Sequence, residues 1–454
     1  MKNYILLLCI LIATACNKQN DWLDIKTTKA DVVPSKLSDY QGLLDYDDNY
    51  MNANYPFLGQ ASCDDYYVSY SNWQAGIAGS RNAYIWTPDI YAGASANDWN
   101  APYIMIAYAN VCLEGIKTIP KEISNASSWD NVYGSAYFYK ALAYYLLAQE
   151  FTTPYNSTTA ANDIGLPLRN SSDVTVVNQR SSVKQTWEEI INDFQIAEAS
   201  LPDFPAFATR PSRSAARAML ARVNLAMGNY QQAKDWGDKA LAMVNYILDF
   251  NTLNSSAAYP LPTYQAGNKE IFIYATTVLS SFHIINGIID SNLYKSYSLN
   301  DLRRTLYFKV TGNTASFRGQ YSGVVYPFGG IATNEVFLIR AEANARLGNV
   351  TAAMADLNTL LIKRWKTGTY TPYTASGAQD ALQKIVAERR KELLFYANTR
   401  WDDLRRLNQD PAFAKTLTRD LNGITYSLPA NDPRYAFPIP DNEIRASGIQ
   451  QNPR

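Results

Sequence analysis

Two stretches of this 454-residue chain repeat one another at a constant offset of 120 residues. Ala221-Arg-Val-Asn224-Leu-Ala-Met-Gly228-Asn229-Tyr-Gln-Gln-Ala233 aligns with Ala341-Glu-Ala-Asn344-Ala-Arg-Leu-Gly348-Asn349-Val-Thr-Ala-Ala353. Each copy predicts a helix, a Gly-Asn turn and a second helix. Glycine permits the tight reversal, and the small alanine lets two helices approach. The copies are not contiguous, which excludes a simple solenoid, so other material must be inserted between them. The remaining periodicity is also helical. Residues 102 to 117 carry Ile104, Tyr108, Val111, Cys112 and Ile116 on one stripe, and residues 130 to 150 continue with Val132, Tyr133, Ala136, Tyr137, Ala141, Tyr144, Tyr145 and Ala148. A third helix is expected from Val183 to Ala199, opened by Ser182 and Gln185 at capping-box spacing. An alanine-rich run over 213–227 stops at Gly228.

The turn-and-helix register, with Ala240 seven after Ala233, resembles part of a tetratricopeptide unit. Between such helices lie two long irregular segments, about 46–100 and 251–330. The first holds Tyr66, Tyr67, Tyr70, Trp73, Tyr84, Trp86, Tyr91 and Trp99; the second holds Tyr259, Tyr264, Tyr294, Tyr297, Tyr307, Tyr321 and Tyr326. Dense aromatics argue against disorder, so ordered loops and short strands over a helical scaffold are expected. Tyrosine outnumbers phenylalanine 33 to 16. A ring with a polar tip suits a half-wet surface facing a ligand such as a sugar, although it also suits helix–helix seams.

Chemistry is constrained by what is scarce. The 41 basic and 41 acidic residues cancel, so no net charge draws the chain to nucleic acid. A single histidine, His283, leaves no cluster for zinc or for a two-histidine iron site. A triad needs only one, but no Gly-x-Ser-x-Gly elbow accompanies it. The Asp64-Asp65 pair invites calcium without any EF-hand pattern, so no metal or cofactor is expected. Glu388, Arg389, Glu392, Arg400, Asp403 and Arg405 mimic a catalytic set, yet their spacing suits helix-surface and inter-helix salt bridges.

At the N-terminus, basic Lys2 precedes a short apolar run ending in Ala13-Thr14-Ala15-Cys16. The run is too short to span a bilayer and has the form of a secretory signal over residues 1–15. Its exit resembles the lipobox of bacterial lipoproteins, which makes Cys16 the expected lipid anchor and 16–34 a tether. Cys63 and Cys112 then remain, either as a disulfide or as two buried thiols.

Several further blocks carry a resemblance that runs over nearly the whole chain. Asp21-Trp22-Leu23-Asp24 follows Cys16, Ile106-x-x-Ala109-Asn110-x-x-Leu113-Glu114-x-Ile116 marks one helix, and Arg210-Pro-Ser-Arg-Ser-Ala215-Ala216 leads another. C-terminally come Ile339-Arg340-Ala341-Glu342-Ala343, Glu388-Arg389-x-x-Glu392-Leu393, Arg400-Trp-Asp402-Asp403-Leu404-Arg405-Arg406, Phe437-Pro438-Ile439-Pro440 and Gln451-Asn452-Pro453. In order and spacing these resemble the RagB/SusD family of nutrient-binding outer-membrane lipoproteins. Two departures stand out. Phe151-Thr-Thr-Pro154 replaces the family's Gly-Asp-x-Pro turn, and Tyr396-Ala397 replaces its Glu-Gly before the arginine that follows.

The resemblance implies a mostly α, SusD-like single domain over 35–454. Tetratricopeptide-type helix pairs would form a scaffold mainly at 101–250 and 334–410, with minor β and ligand-binding insertions at about 46–100 and 251–330. It implies a non-enzymatic, lipid-anchored surface protein that captures an oligosaccharide and acts as the lid of a SusC-like TonB-dependent transporter. By position in the insertions, the implied glycan contacts are Asp65, Tyr67, Trp73, Arg81 and Trp86, with Tyr294, Tyr297 and Tyr321 as partners. Two other readings stay open: a tetratricopeptide-type surface lipoprotein binding peptide or protein, and an α-helical glycan-cleaving enzyme.

Overall fold

A computed structural model describes residues 34–279, 282 and 286–454, so Cys16, the signal and His283 lie outside the described residues. Among the described residues the scaffold is built from nine helices: α1 (Asn97–Gly115), α2 (Ala126–Phe151), α3 (Val183–Ser200), α4 (Arg213–Ala226), α5 (Tyr230–Leu241), α6 (Thr333–Arg346), α7 (Val350–Leu361), α8 (Ala378–Glu392) and α9 (Thr399–Leu407). The Ser182 capping box is present, with the Gln185 N–H donating to Ser182 Oγ at 3.1 Å and the Ser182 N–H to Gln185 Oε1 at 2.9 Å. Among the described residues, no helix is long and apolar enough to cross a membrane.

The duplicated sequence gives duplicated geometry. Gly228 and Gly348 take φ of 74° and 81°, left-handed values that favour glycine. The Asn229 N–H reaches the Asn224 carbonyl at 2.9 Å, and the Asn349 N–H reaches that of Asn344 at 2.8 Å. Although 120 residues apart in sequence, the α4–α5 and α6–α7 pairs stack on each other through Ala221, Leu225, Ala233, Ile339 and Ala343. Gly237 admits the Arg340 side chain at that seam, and Arg340 is fixed by Asp238 at 2.9 Å and Asp356 at 2.7 Å.

Helix α2 runs through the main core, and its tyrosines behave as seam residues. The Tyr139 hydroxyl reaches Asn52 Oδ1 and the Thr209 carbonyl, and that of Tyr144 reaches the Arg169 carbonyl. The insertions contain more helix than loops and short strands alone would give: Leu58–Ser62, Tyr70–Gln74 and Ala78–Tyr84 in the first, Ser291–Lys295 and Arg303–Leu306 in the second. The strands among the described residues pair in two-stranded antiparallel ladders, with a few isolated bridges outside them, of which Tyr55 with Thr277 is parallel. One of them, Tyr66–Tyr67 with Ile288–Ile289, ties the two insertions together. Cys63 and Cys112 are buried free thiols, so the disulfide alternative does not hold.

The Tyr396-Ala397 departure leaves a mark on the backbone. Ala397 sits at φ 39°, where its Cβ is strained. Ala397→Gly is expected to raise the unfolding free energy by about 0.5–1 kcal/mol, net of glycine's larger unfolded-state entropy, as measured by urea titration.

Under the first insertion, the buried Leu58–Ser62 helix presents its first N–H groups to two acids. Asp98 Oδ1 accepts from Phe57 and Leu58 at 2.7 and 2.8 Å, and Glu150 Oε1 accepts from Gly59 at 3.1 Å. Burial pushes Asp98 up to about 6; burial and the neighbouring Asp98 push Glu150 well above the usual carboxylate range. Raised carboxyls hold protons that the unfolded chain releases near pH 4. Their stabilisation is therefore present in acid and lost as pH rises through the folded values. Glu150→Gln removes part of that loss. It should make the protein more stable than wild type by on the order of 1–2 kcal/mol at pH 8, with the gap closing towards pH 5, in denaturant titrations across that range.

Candidate functional site

The Tyr70–Gln74 helix carries an exposed ring platform. Ser69 caps it by accepting the Asn72 N–H at 3.2 Å. Residues i and i+3 share a helix face, so Tyr70 and Trp73 stack with centroids 5.7 Å apart and planes inclined by 21°. The Trp73 indole N–H donates to the Arg81 carbonyl at 3.0 Å, and the Arg81 guanidinium lies 5.9 Å over the Trp73 ring. Gln74 donates to the Tyr70 hydroxyl at 3.0 Å, which fixes the outer ring. Tyr70 and Tyr67 are 38% and 43% exposed, whereas Trp73 is half-buried. Trp73 thus backs Tyr70, whose ring is the open one, and Tyr67 on the ladder three residues earlier carries a second exposed ring.

Arg81 is the charged member. Among the described residues no carboxylate lies within ion-pair distance of its guanidinium, which makes one hydrogen bond, to the Gln74 carbonyl at 3.4 Å. A guanidinium held over Trp73, next to the open Tyr70 ring, can donate to ligand hydroxyls or acidic groups.

Beneath the platform lies an ionic lock. Asp64 takes Arg400 through two oxygens at 2.7 and 3.0 Å, and also Lys415 at 2.7 Å and Arg390 at 3.4 Å. Burial alone would raise its carboxyl, but Arg400, Arg390 and Lys415 outweigh it and hold Asp64 well below the usual range. Asp65 is buried against Arg390 at 3.0 Å, and its carbonyl accepts the Asp290 N–H at 2.9 Å. Both acids are therefore committed to cations, which removes them as calcium ligands and removes Asp65 as a direct sugar contact. Among the described residues, no group of three or more His, Cys, Asp or Glu is placed to hold a metal.

Several residues implied as glycan contacts lie in the core. Trp86 is 2% exposed, with its indole N–H on the Ser62 carbonyl and the Arg419 guanidinium 5.0 Å over its ring. Tyr297 is buried and donates to the Lys391 carbonyl at 2.8 Å. Tyr321 is buried between Tyr396 and Phe328, with centroids 4.9 and 5.6 Å away. None of these three offers a free ring face. Tyr294 is half-buried under Arg304, 4.6 Å away, on the helix that follows Ile288–Ile289. Of the implied set, Tyr67 on the ladder is exposed, while Trp73 on the Tyr70–Gln74 helix, Arg81 on the Ala78–Tyr84 helix and Tyr294 are half-buried. The outer ring, Tyr70, is not among the implied contacts, although the Tyr70-x-x-Trp73 spacing carries the signal.

The tempting C-terminal charges are mostly buried ion pairs across elements, although Glu388 also takes Lys391 and Asp403 takes Arg406 within their own helices. Arg303 holds Glu388 and Glu392 at 2.7 and 3.2 Å, and Arg364 holds Glu392 and Glu270 at 2.8 and 3.2 Å. Arg389 holds Asp403 at 2.9 Å. Arg405 differs: among the described residues it forms no ion pair, and it donates to the Ala148 and Thr152 carbonyls at the end of α2, the place where a cation complements a helix dipole.

A helical scaffold of stacked helix pairs, overlaid by aromatic insertions with a surface ring platform, defines a binding module. The SusD-like family model described as "Starch-binding associating with outer membrane" matches residues 21–225, and the SusD family model matches residues 333–454. The chain belongs to the RagB/SusD family. SusD-like protein P2 of Formosa agariphila is 25% identical over 369 residues, which span 68% of this chain and 71% of that protein. A SusD superfamily protein of Bacteroides thetaiotaomicron superposes with a TM-score of 0.71 at 22% identity, over 92% of this chain and 100% of that one. A SusD-like carbohydrate binding protein of Bacteroides vulgatus gives 0.70 at 18% identity, over 91% and 97%. The fold is the mostly α SusD-like fold that the sequence implies.

Proposed function

We propose that this protein captures oligosaccharides at the cell surface and passes them to a SusC-like TonB-dependent transporter in the outer membrane, for which it acts as the lid. Cys16 would carry the lipid that tethers it there. The observation that carries this reading is the exposed Tyr70 ring stacked on Trp73, with the Arg81 guanidinium over the Trp73 ring and Tyr67 exposed three residues earlier. Rings meet the C–H faces of a pyranose while the guanidinium donates to its hydroxyls. Binding rather than cleavage is favoured because the acids nearest the platform in sequence, Asp64 and Asp65, are largely buried and engaged by Arg390, Arg400 and Lys415 instead of being open to a substrate.

The test is calorimetry of the lipid-free protein against a panel of oligosaccharides and peptides. Tyr70→Ala should weaken binding of the preferred glycan about three- to tenfold with the melting curve unchanged, since an exposed ring contributes to the ligand and not to the core. Trp73→Ala should weaken it at least as much, because it releases Tyr70 and Arg81 together. Peptide-only binding would overturn the glycan assignment, and product release from the glycan would overturn the non-enzymatic one.

A further inference from the structure

A second concavity lies away from the ring platform and shares no residue with it. It is a groove of about 420 Å³ where the 46–54 segment meets the 263–277 segment and Tyr326. Tyr264 and Tyr274 form one wall, their ring centroids 4.3 Å apart and inclined by 43°, and Tyr326 stands 48% exposed beside them. Opposite are Asp47 and Asp48, neither of which makes a side-chain hydrogen bond or ion pair among the described residues. Neither arginine nor lysine lines the groove, and the neighbouring Arg210 is already taken by Asp45 at 2.8 Å. The walls are anchored: Asn52 donates to the Tyr274 carbonyl at 2.7 Å, its own carbonyl accepts the Thr276 N–H at 2.8 Å, and its Oδ1 accepts from Tyr139. Three rings, two free acceptors and a fixed frame are therefore displayed together.

We infer that this groove is a second saccharide site, taking an uncharged or amino-bearing sugar unit and turning away uronate or sulfate. The inference rests on the glycan-binding reading above and adds a charge preference to it. Each carboxylate can accept two vicinal hydroxyls or an ammonium, contacts stronger than neutral hydrogen bonds, while the tyrosines take the C–H face. An anionic unit would meet two like charges with no cation to offset them. The platform, with Arg81, has the opposite sign, so the two sites sort a mixed polymer by charge.

Calorimetry with maltohexaose, a glucosamine hexamer and a galacturonate hexamer tests this on wild type, Tyr70→Ala, Tyr326→Ala and the double variant Asp47→Asn/Asp48→Asn. All the substituted side chains are exposed or half-buried, and a melting curve for each variant checks the fold. The double variant should weaken the glucosamine hexamer about tenfold, and Tyr326→Ala should weaken both it and maltohexaose, with the galacturonate hexamer unchanged. In Tyr70→Ala, the glucosamine hexamer should still slow hydrogen exchange over 47–54 and 264–277. Groove variants that bind all three sugars like wild type, while Tyr70→Ala loses them, would overturn the second site and leave the platform standing. If wild type binds none of the three but binds another oligosaccharide of the panel that Tyr70→Ala weakens, the charge preference falls and the capture reading stands; if no oligosaccharide binds, both fall.

Discussion

Arg364→Met should cost about 3–5 kcal/mol of stability, the range for removing one partner of a fully buried ion pair. Arg364 is 0% exposed. Its Nε donates to Glu392 at 2.9 Å, one Nη to the Leu248 carbonyl at 2.6 Å, the other to Glu270 at 3.2 Å, and its guanidinium lies 4.0 Å over Phe250. Methionine keeps most of the volume and the ring contact, so the loss isolates the charge. Glu392 retains Arg303, but Glu270 is left with no cation among the described residues. Burial already pushes Glu270 up to about 7 despite Arg364. Without the arginine its folded pKa rises further, so the variant's stability persists in acid and is lost as pH rises. The deficit against wild type should therefore be larger at pH 8 than at pH 5 in urea titrations, and Glu270→Gln in the same background should recover part of it. A deficit independent of pH would mean that packing, not charge, is what Arg364 supplies.

That network shows where sequence reading reaches its limit. The repeats, caps and turns were legible because each depends on residues within a few positions: Gly228 and Gly348 on their own φ, Ser182 on Gln185. The identity of the ion-pair residues was legible too, but their placement was not, because Arg303 and Glu388 meet across 85 residues and Asp64 and Arg400 across 336. The same holds for the rings. Nothing local separates Trp86, whose indole N–H is satisfied by Ser62, from Trp73, whose helix stands at the surface. In an irregular segment there is no period to say which side faces water. The one local signal, Tyr70 three residues before Trp73, marks the platform.

Asp64→Ala should lower stability by about 3 kcal/mol and weaken glycan binding as a consequence of lost order, not lost contact. The carboxylate is largely buried and satisfies Arg400 bidentately, with Lys415 and Arg390 beside it. Removing it leaves Arg400 with Asp65 at 3.8 Å as its nearest acid, a poor substitute for a buried guanidinium. Because Lys415 is half-exposed, its share of the loss is screened by solvent, which keeps the figure at the lower end for buried pairs. Tyr67 lies three residues along on a ladder only two residues long, so its position depends on how firmly 63–65 are held. Hydrogen exchange over 63–70 should rise in the variant before global unfolding begins, and the glycan should bind with a less favourable entropy because it must order that segment. Asp64→Asn, which keeps an acceptor for Arg400, should show smaller effects in the same direction. If Asp64→Ala abolished binding while the melt and the exchange over 63–70 stayed at wild-type values, Asp64 would be a ligand contact, and the ionic lock would be part of the site it now supports.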